Sequence, residues 1–218
     1  MSRLYANTAT MSEIGALFGT PATDAVVPTR TVEGGPGLAV MQSAAGRALK
    51  QMTWGFTRVT TEMAIRNEPP QRLGLLADLT NPMWKKVVVD TRYRCLIPLT
   101  HFANPAGDAG SKTRTWFSVE GEPLLAWAGF CRNTPEFGPV FAGMTMTAND
   151  AVMPYNDRMP VLLAADEHER WLQSSIQDVI GFQFRSPMDA CRMIVEHTAD
   201  RWRSDAPPPS GRPQLALI

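Results

Sequence analysis

Cysteine is scarce: three residues in 218, at Cys95, Cys131 and Cys191. An odd number, with no Cys-x-x-Cys pair and no His/Cys set at metal-ligand spacing, argues against a disulfide framework and a structural zinc site, so free, buried thiols are expected. No run approaches the roughly 18 apolar residues of a membrane helix, and the opening MSRLYANTAT lacks the basic-then-apolar order of a secretory signal. The expected location is therefore cytoplasmic, with no membrane partner. Neither sign of charge prevails, since 21 basic side chains face 21 acidic ones. The chain thus lacks the overall basic footprint of a nucleic-acid binder, and any DNA contact would come from a local patch. The three histidines, His101, His168 and His197, stand at no recognisable catalytic spacing. There is no nucleophile elbow, phosphate loop or metal signature, so neither metal nor cofactor is expected.

The apolar content of 44% is ample for a real core. A single domain over residues 1–205, followed by an extended, mobile Pro-rich tail at 206–218, fits the composition. Thr10 and Glu13 have capping-box spacing ahead of Met11, Ile14, Leu17 and Phe18, which predicts a helix over 10–18. Leu38 to Met41 reads as a strand, and Lys50 to Thr60 as another in which Gly55 marks a bulge or a close backbone approach. At 81–89 the Asn81-Pro82 helix start competes with the strand preference of Val87 to Val89, and helix is the expectation. Apolar runs at 94–102, 115–119, 124–130 and 140–147, separated by turn clusters, predict an antiparallel meander or barrel. Two closing helices are expected at 166–176 and 187–197, the second capped by Ser186 with Pro187 at its first position. The expected class is α+β, a mainly antiparallel, barrel-like sheet flanked by helices.

Ordered landmarks carry more information than any single motif. MSRLYA opens the chain, WGFTR follows at 54–58, RCLIP at 94–98, LAWAGF at 125–130 and NDRMPVLL at 156–163. In this order they resemble the SOS response-associated peptidase (SRAP) family, whose members typically begin Met-Cys-Gly-Arg-Phe and close the core with His-Asp-Arg-Met-Pro. The likeness spans about residues 1–175 and implies a single SRAP-like fold and a link to abasic-site or single-stranded DNA sensing in the DNA-damage response.

The resemblance also implies a chemistry. In the family a cysteine exposed by methionine removal captures the aldehyde of an abasic site as a thiazolidine, with an asparagine, a glutamate and a histidine nearby, and the same cysteine is thought to act in autopeptidase cleavage. Carried over residue by residue, the cysteine position holds Ser2, the glutamate position Asn104, the histidine position Asn156 and the asparagine position Leu76. A serine hydroxyl, unlike a thiol with pKa near ~8.5, has almost no anion at neutral pH to close the ring. Asparagine cannot titrate, so the positioned acid or base, usually worth ~10²–10⁴ in rate, is lost at two positions. The expectation is a relative that has lost the DNA–protein crosslink and the peptidase activity.

Other matching positions, Arg3, Trp54, Arg58, Thr145 and Arg158, with Tyr5, lie in the family's layout around the DNA groove. Trp54 reads either as a stacking platform or as a core aromatic, and Arg158 either as a phosphate contact or as a structural partner of the neighbouring Asp157. Three functions stay open: noncovalent binding of single-stranded or abasic DNA, a residual enzyme using Ser2, and a noncatalytic scaffold that keeps only the fold.

Overall fold

The computed structural model describes residues 4–209. The chain runs β1 (Leu4–Ala6), α1 (Met11–Phe18), β2 (Arg30–Val32), β3 (Pro36–Ser43), β4 (Gly46–Trp54), β5 (Phe56–Arg58), α2 (Thr61–Ile65), β6 (Gln71–Leu73), β7 (Leu75–Leu76) and α3 (Lys85–Val89). It continues through β8 (Arg94–Leu99), β9 (His101–Ala106), β10 (Thr113–Val119), β11 (Leu125–Thr134), β12 (Gly138–Thr147), β13 (Arg158–Pro160), β14 (Leu162–Leu163), α4 (His168–Gln173), α5 (Ile176–Phe184) and β15 (Met193–Arg201).

Two sheets organise these elements. The larger closes on itself: β12 pairs with β4, β4 with β3, β3 with β8, β8 with β11, and β11 returns to β12. All links of this barrel are antiparallel except β12–β4. The second is a five-stranded antiparallel sheet in the order β15-β10-β9-β1-β2. The α+β class with a barrel-like, mainly antiparallel sheet is therefore what the chain adopts. The apolar run at 94–102 serves both sheets, because the chain bends at Thr100, whose N–H donates to Ala6 O at 2.9 Å, and passes from β8 in the barrel to β9 in the other sheet.

Local signals account for several elements. Thr10 caps α1 through Oγ1, which accepts from the Glu13 N–H at 3.2 Å, while the Glu13 carboxylate accepts from the Thr10 N–H at 2.7 Å. Asn81 accepts from the Met83 N–H and starts a 3₁₀ turn that leads into α3, so helix prevails over the valine run. Gly55 adopts φ +124°, a conformation suited to glycine, and breaks the expected 50–60 strand into β4 and β5. The expected helix at 166–176 ends sooner, at Gln173, because Ser174 is extended and Ser175 caps the separate α5.

One expectation is overturned. Residues 187–197 do not form a helix: after a 3₁₀ turn at Ala190–Arg192 the chain becomes β15, paired with β10 from Val119↔Met193 to Thr113↔Arg201. The Ser186-Pro187 start signal is local, whereas Ile194, Val195 and Thr198 are β-branched and complete the open edge of β10, a non-local gain that outweighs the cap. The tail also begins anchored, since Pro208 is buried and Ala206 O accepts from the Arg114 guanidinium at 2.8 Å. The expected mobility of residues 210–218 lies outside the described residues.

The barrel interior carries the main core. Trp54, Trp127 and Tyr5 meet edge to face with ring centroids 5.2–5.9 Å apart. Trp127 lies directly against Gly143, where an added Cβ would sit 1.9 Å from the indole. Cys95 and Cys131 are free and buried as expected, but Cys191 is free and exposed. No helix among the described residues is long and apolar enough to cross a membrane.

Candidate functional site

The five-stranded sheet meets the barrel at a narrow recess lined by Leu4, Tyr5, Trp54, Phe102, Asn104, Trp127, Arg158 and Pro160. Strand alternation explains the grouping. Phe102 stands opposite Tyr5 on β1, Asn104 follows two residues later on β9, and both therefore face the same side. The recess has room for about one water molecule.

Asn104 is its most unusual member. It is fully buried, and neither Oδ1 nor Nδ2 has a hydrogen-bond partner among the described residues. A buried amide left unpaired costs about 1–3 kcal/mol. The side chain therefore offers one strong acceptor and two donors to whatever enters the recess. Tyr5, also fully buried, has its hydroxyl pKa pushed up by burial, so it stays neutral.

Arg158 closes the opposite side. Its Nε donates to Thr145 Oγ1 at 3.1 Å, and its Nη2 donates to Thr145 O at 2.6 Å and Ala77 O at 2.8 Å. Thr145 Oγ1 in turn donates to Leu76 O at 3.3 Å. Asn156 turns the chain into this strand, its Oδ1 accepting from the Arg158 N–H at 3.1 Å. Among the described residues Arg158 makes no ion pair with Asp157; it pins β12, β13 and the 76–77 segment through carbonyls instead. Its Nη1 makes no hydrogen bond among the described residues. Asp78 lies within electrostatic reach of this guanidinium, although the lowering of its pKa comes first from the Thr80 hydroxyl.

The residues singled out in the sequence thus separate into groups. Asn104 and Arg158 line one recess, Asn156 and Thr145 bond Arg158 directly, and the Leu76 carbonyl joins the same network. Leu4 lines the recess where the chain enters β1, while Ser2 and Arg3 lie outside the described residues. Trp54 walls the recess but is only 1% exposed, with its indole N–H donated to Gly74 O at 2.7 Å, which is a core position. Arg58 is exposed on β5, paired through its strand to Gln71 and outside the lining of the recess.

Sequence reasoning missed three neighbours. Thr115 on β10 stands opposite Asn104 on one side and opposite His197 of β15 on the other. His197 Nδ1 is 3.1 Å from Thr115 Oγ1, and its Nε2 is 3.2 Å from the Tyr155 hydroxyl. The signal was the alternation in β15, masked by reading 187–197 as a helix. The other histidines lie elsewhere. His101 is buried beside Trp116 with its pKa lowered to about 4 by desolvation, and His168 is stacked on Phe18 with its pKa lowered by the same cause.

A separate concavity of about 620 Å³ lies elsewhere, between α1, the turn at Gly121–Leu124 and the start of α4. Its lining among the described residues is mostly apolar, with Glu13 and Glu122 and no lysine or arginine. That charge does not suit a polyanion.

A recess at the start of β1, faced by the Asn104 strand and by the arginine of the NDRMP segment, joins three landmarks far apart in sequence. The family model for SOS response associated peptidase (SRAP) matches residues 3–195. The chain belongs to the SRAP family. Membership gives it an SOS-associated, DNA-related role at the level of the family. Crystal structures share the fold: a protein from Bordetella bronchiseptica at TM-score 0.74 and 18% identity, covering 91% of this chain and 99% of its own. A protein from Bacteroides thetaiotaomicron follows at TM-score 0.70 and 17% identity, covering 89% and 91%. A phage-related protein of Bordetella bronchiseptica reaches 0.64 at 18% identity, covering 91% and 94%. No curated protein matches the chain.

Proposed function

We propose that this SRAP protein binds single-stranded DNA, abasic-site DNA included, in a cytoplasmic setting and without the covalent crosslink or the peptidase activity of its family. The observation that carries this reading is the buried, unpartnered Asn104 amide sharing a recess with Arg158. Asn104, Asn156 and Thr145 can donate and accept hydrogen bonds but carry no ionisable group, and Arg158 is a donor only. Such a set binds and orients oxygen atoms but moves no protons. In this reading Arg158 Nη1 and the exposed Arg58, together with Arg3, contact phosphate, while Trp54 walls the recess. In this reading Ser2 and Leu76 occupy the sequence positions that the family resemblance aligns with the crosslinking cysteine and its asparagine.

The experiment is fluorescence anisotropy with single-stranded and abasic oligonucleotides, followed by denaturing gels with and without borohydride. Affinity is expected to fall steeply between about 50 and 200 mM salt, as phosphate contacts require. No adduct is expected on the gel, and Ser2→Cys with Asn104→Glu and Asn156→His should recover part of the crosslink. Absence of any salt-sensitive affinity overturns DNA binding; a borohydride-trapped adduct on the unaltered chain would establish a residual enzyme using Ser2. A second reading, an interaction protein that keeps only the fold, is favoured by the 620 Å³ apolar concavity, and a DNA-inert chain that copurifies with a protein partner would support it.

A further inference from the structure

The turn that presents Asn156 and Arg158 belongs to the segment between β12 and β13, and its backbone N–H groups bond within that segment. The Tyr155 and Asn156 N–H groups both donate to Val152 O, at 2.9 and 3.0 Å, and the Arg158 N–H donates to Asn156 Oδ1. On the barrel side the turn is held by Asp157 O, which accepts from the Ala148 N–H at 2.9 Å, and by the Arg158 guanidinium on Thr145 and Ala77. Its link to the five-stranded sheet comes from Tyr155, whose ring meets Phe117 edge to face at 5.4 Å and whose hydroxyl meets His197 Nε2 at 3.2 Å. The other imidazole nitrogen is bonded to Thr115, which shares its cross-strand position with Asn104. Asn104, Thr115 and His197 therefore stand in one row across β9, β10 and β15, on one face. An imidazole is suited to bridging two hydroxyls, since one nitrogen donates and the other accepts while each hydroxyl can do either.

We infer that His197 is a positioning residue: bonded to Thr115 on one side and Tyr155 on the other, it holds the Asn156–Arg158 turn of one sheet against the Asn104 row of the other. The recess thus depends on a side chain from the last strand, far in sequence from every family landmark. The consequence for binding rests on the DNA reading above, whereas the latch itself does not.

Two measurements separate them. Hydrogen exchange of the Tyr155, Asn156 and Arg158 amides reads the latch without any ligand, and anisotropy with single-stranded DNA reads the site. His197→Ala and Tyr155→Phe should each speed exchange of these amides by roughly 2- to 10-fold, the worth of one net hydrogen bond. Barrel amides such as Ala128 should be unchanged. The double variant should go no further than His197→Ala, because the two changes break the same bond. His197→Gln, whose amide reaches the Nε2 position, should restore slow exchange, whereas His197→Asn, which reaches only the Nδ1 position, should not. Affinity for DNA should follow the same order across the variants. Unchanged exchange in His197→Ala, additive effects in the double variant, or equal behaviour of Gln and Asn overturns the latch. Loosened exchange with unchanged affinity overturns its role in positioning the site. A chain that binds no DNA at all, yet shows the exchange pattern, fails the DNA reading and keeps the latch.

Discussion

Asn104 shows how a single side chain can be costly to the fold and useful to a site. A fully buried amide with no partner among the described residues is an arrangement that stability alone does not favour. Replacing it with an apolar residue of similar size removes the unmet donor and acceptor. Asn104→Leu is therefore expected to raise stability by about 1 kcal/mol, read as a higher denaturant midpoint at unchanged m-value, and to weaken DNA binding. An unchanged or lower midpoint would mean that the amide is satisfied by something in solution. Arg158 illustrates the opposite case, because most of its guanidinium is spent on the Thr145 hydroxyl and on the carbonyls of Thr145 and Ala77, and only Nη1 makes no hydrogen bond among the described residues. Its structural partners are thus Thr145 and Ala77, and no ion pair with Asp157 forms among the described residues; the phosphate contact is part of the proposed function.

At the level of elements, glycine placement sets how closely the barrel strands and their side chains approach. Gly143 on β12 leaves space for the Trp127 indole, whose N–H reaches Met144 O at 2.7 Å. Gly143→Ala would put a Cβ 1.9 Å from that ring. The indole is enclosed and cannot swing away, so the expected cost is about 3 kcal/mol or more, visible as a fall in the thermal midpoint and as loss of the tertiary aromatic signal. Elements governed by neighbours in sequence were legible: α1 from its capping box, α3 from Asn81-Pro82, the barrel strands from their apolar runs. β15 was not. Ser186-Pro187 gave a helix signal at short range, and the β10 edge that draws residues 193–201 into a sheet is some 75–90 positions away. His197 escaped notice for the same reason, since its partners Thr115 and Tyr155 become neighbours only once that sheet forms.

Over the whole molecule, the buried histidines predict sensitivity to acid. His101 is held neutral by burial, its pKa lowered to about 4, and His168 is lowered in the same direction. Above about pH 6.5 these groups are neutral in both folded and unfolded chains and add no pH dependence. As pH falls from there towards 4 the unfolded chain takes up protons that the folded chain resists, so stability drops, by up to about 3 kcal/mol for His101. Thermal midpoints measured from pH 7 to pH 4 should decline, and His101→Gln should flatten that decline; a flat profile in the unaltered chain would contradict it. What the sequence determined by itself was the family, the α+β class and the barrel strands, because these follow from ordered landmarks and short-range pattern. Only the tertiary structure decided that Asn104 has no partner among the described residues, that Arg158 bonds Thr145 and Ala77 rather than Asp157, that Trp54 is a core residue, and that His197 on β15 bonds Thr115 and Tyr155. Each of these depends on which distant strands meet, and that is set by long-range sheet pairing and burial that no local window of residues contains.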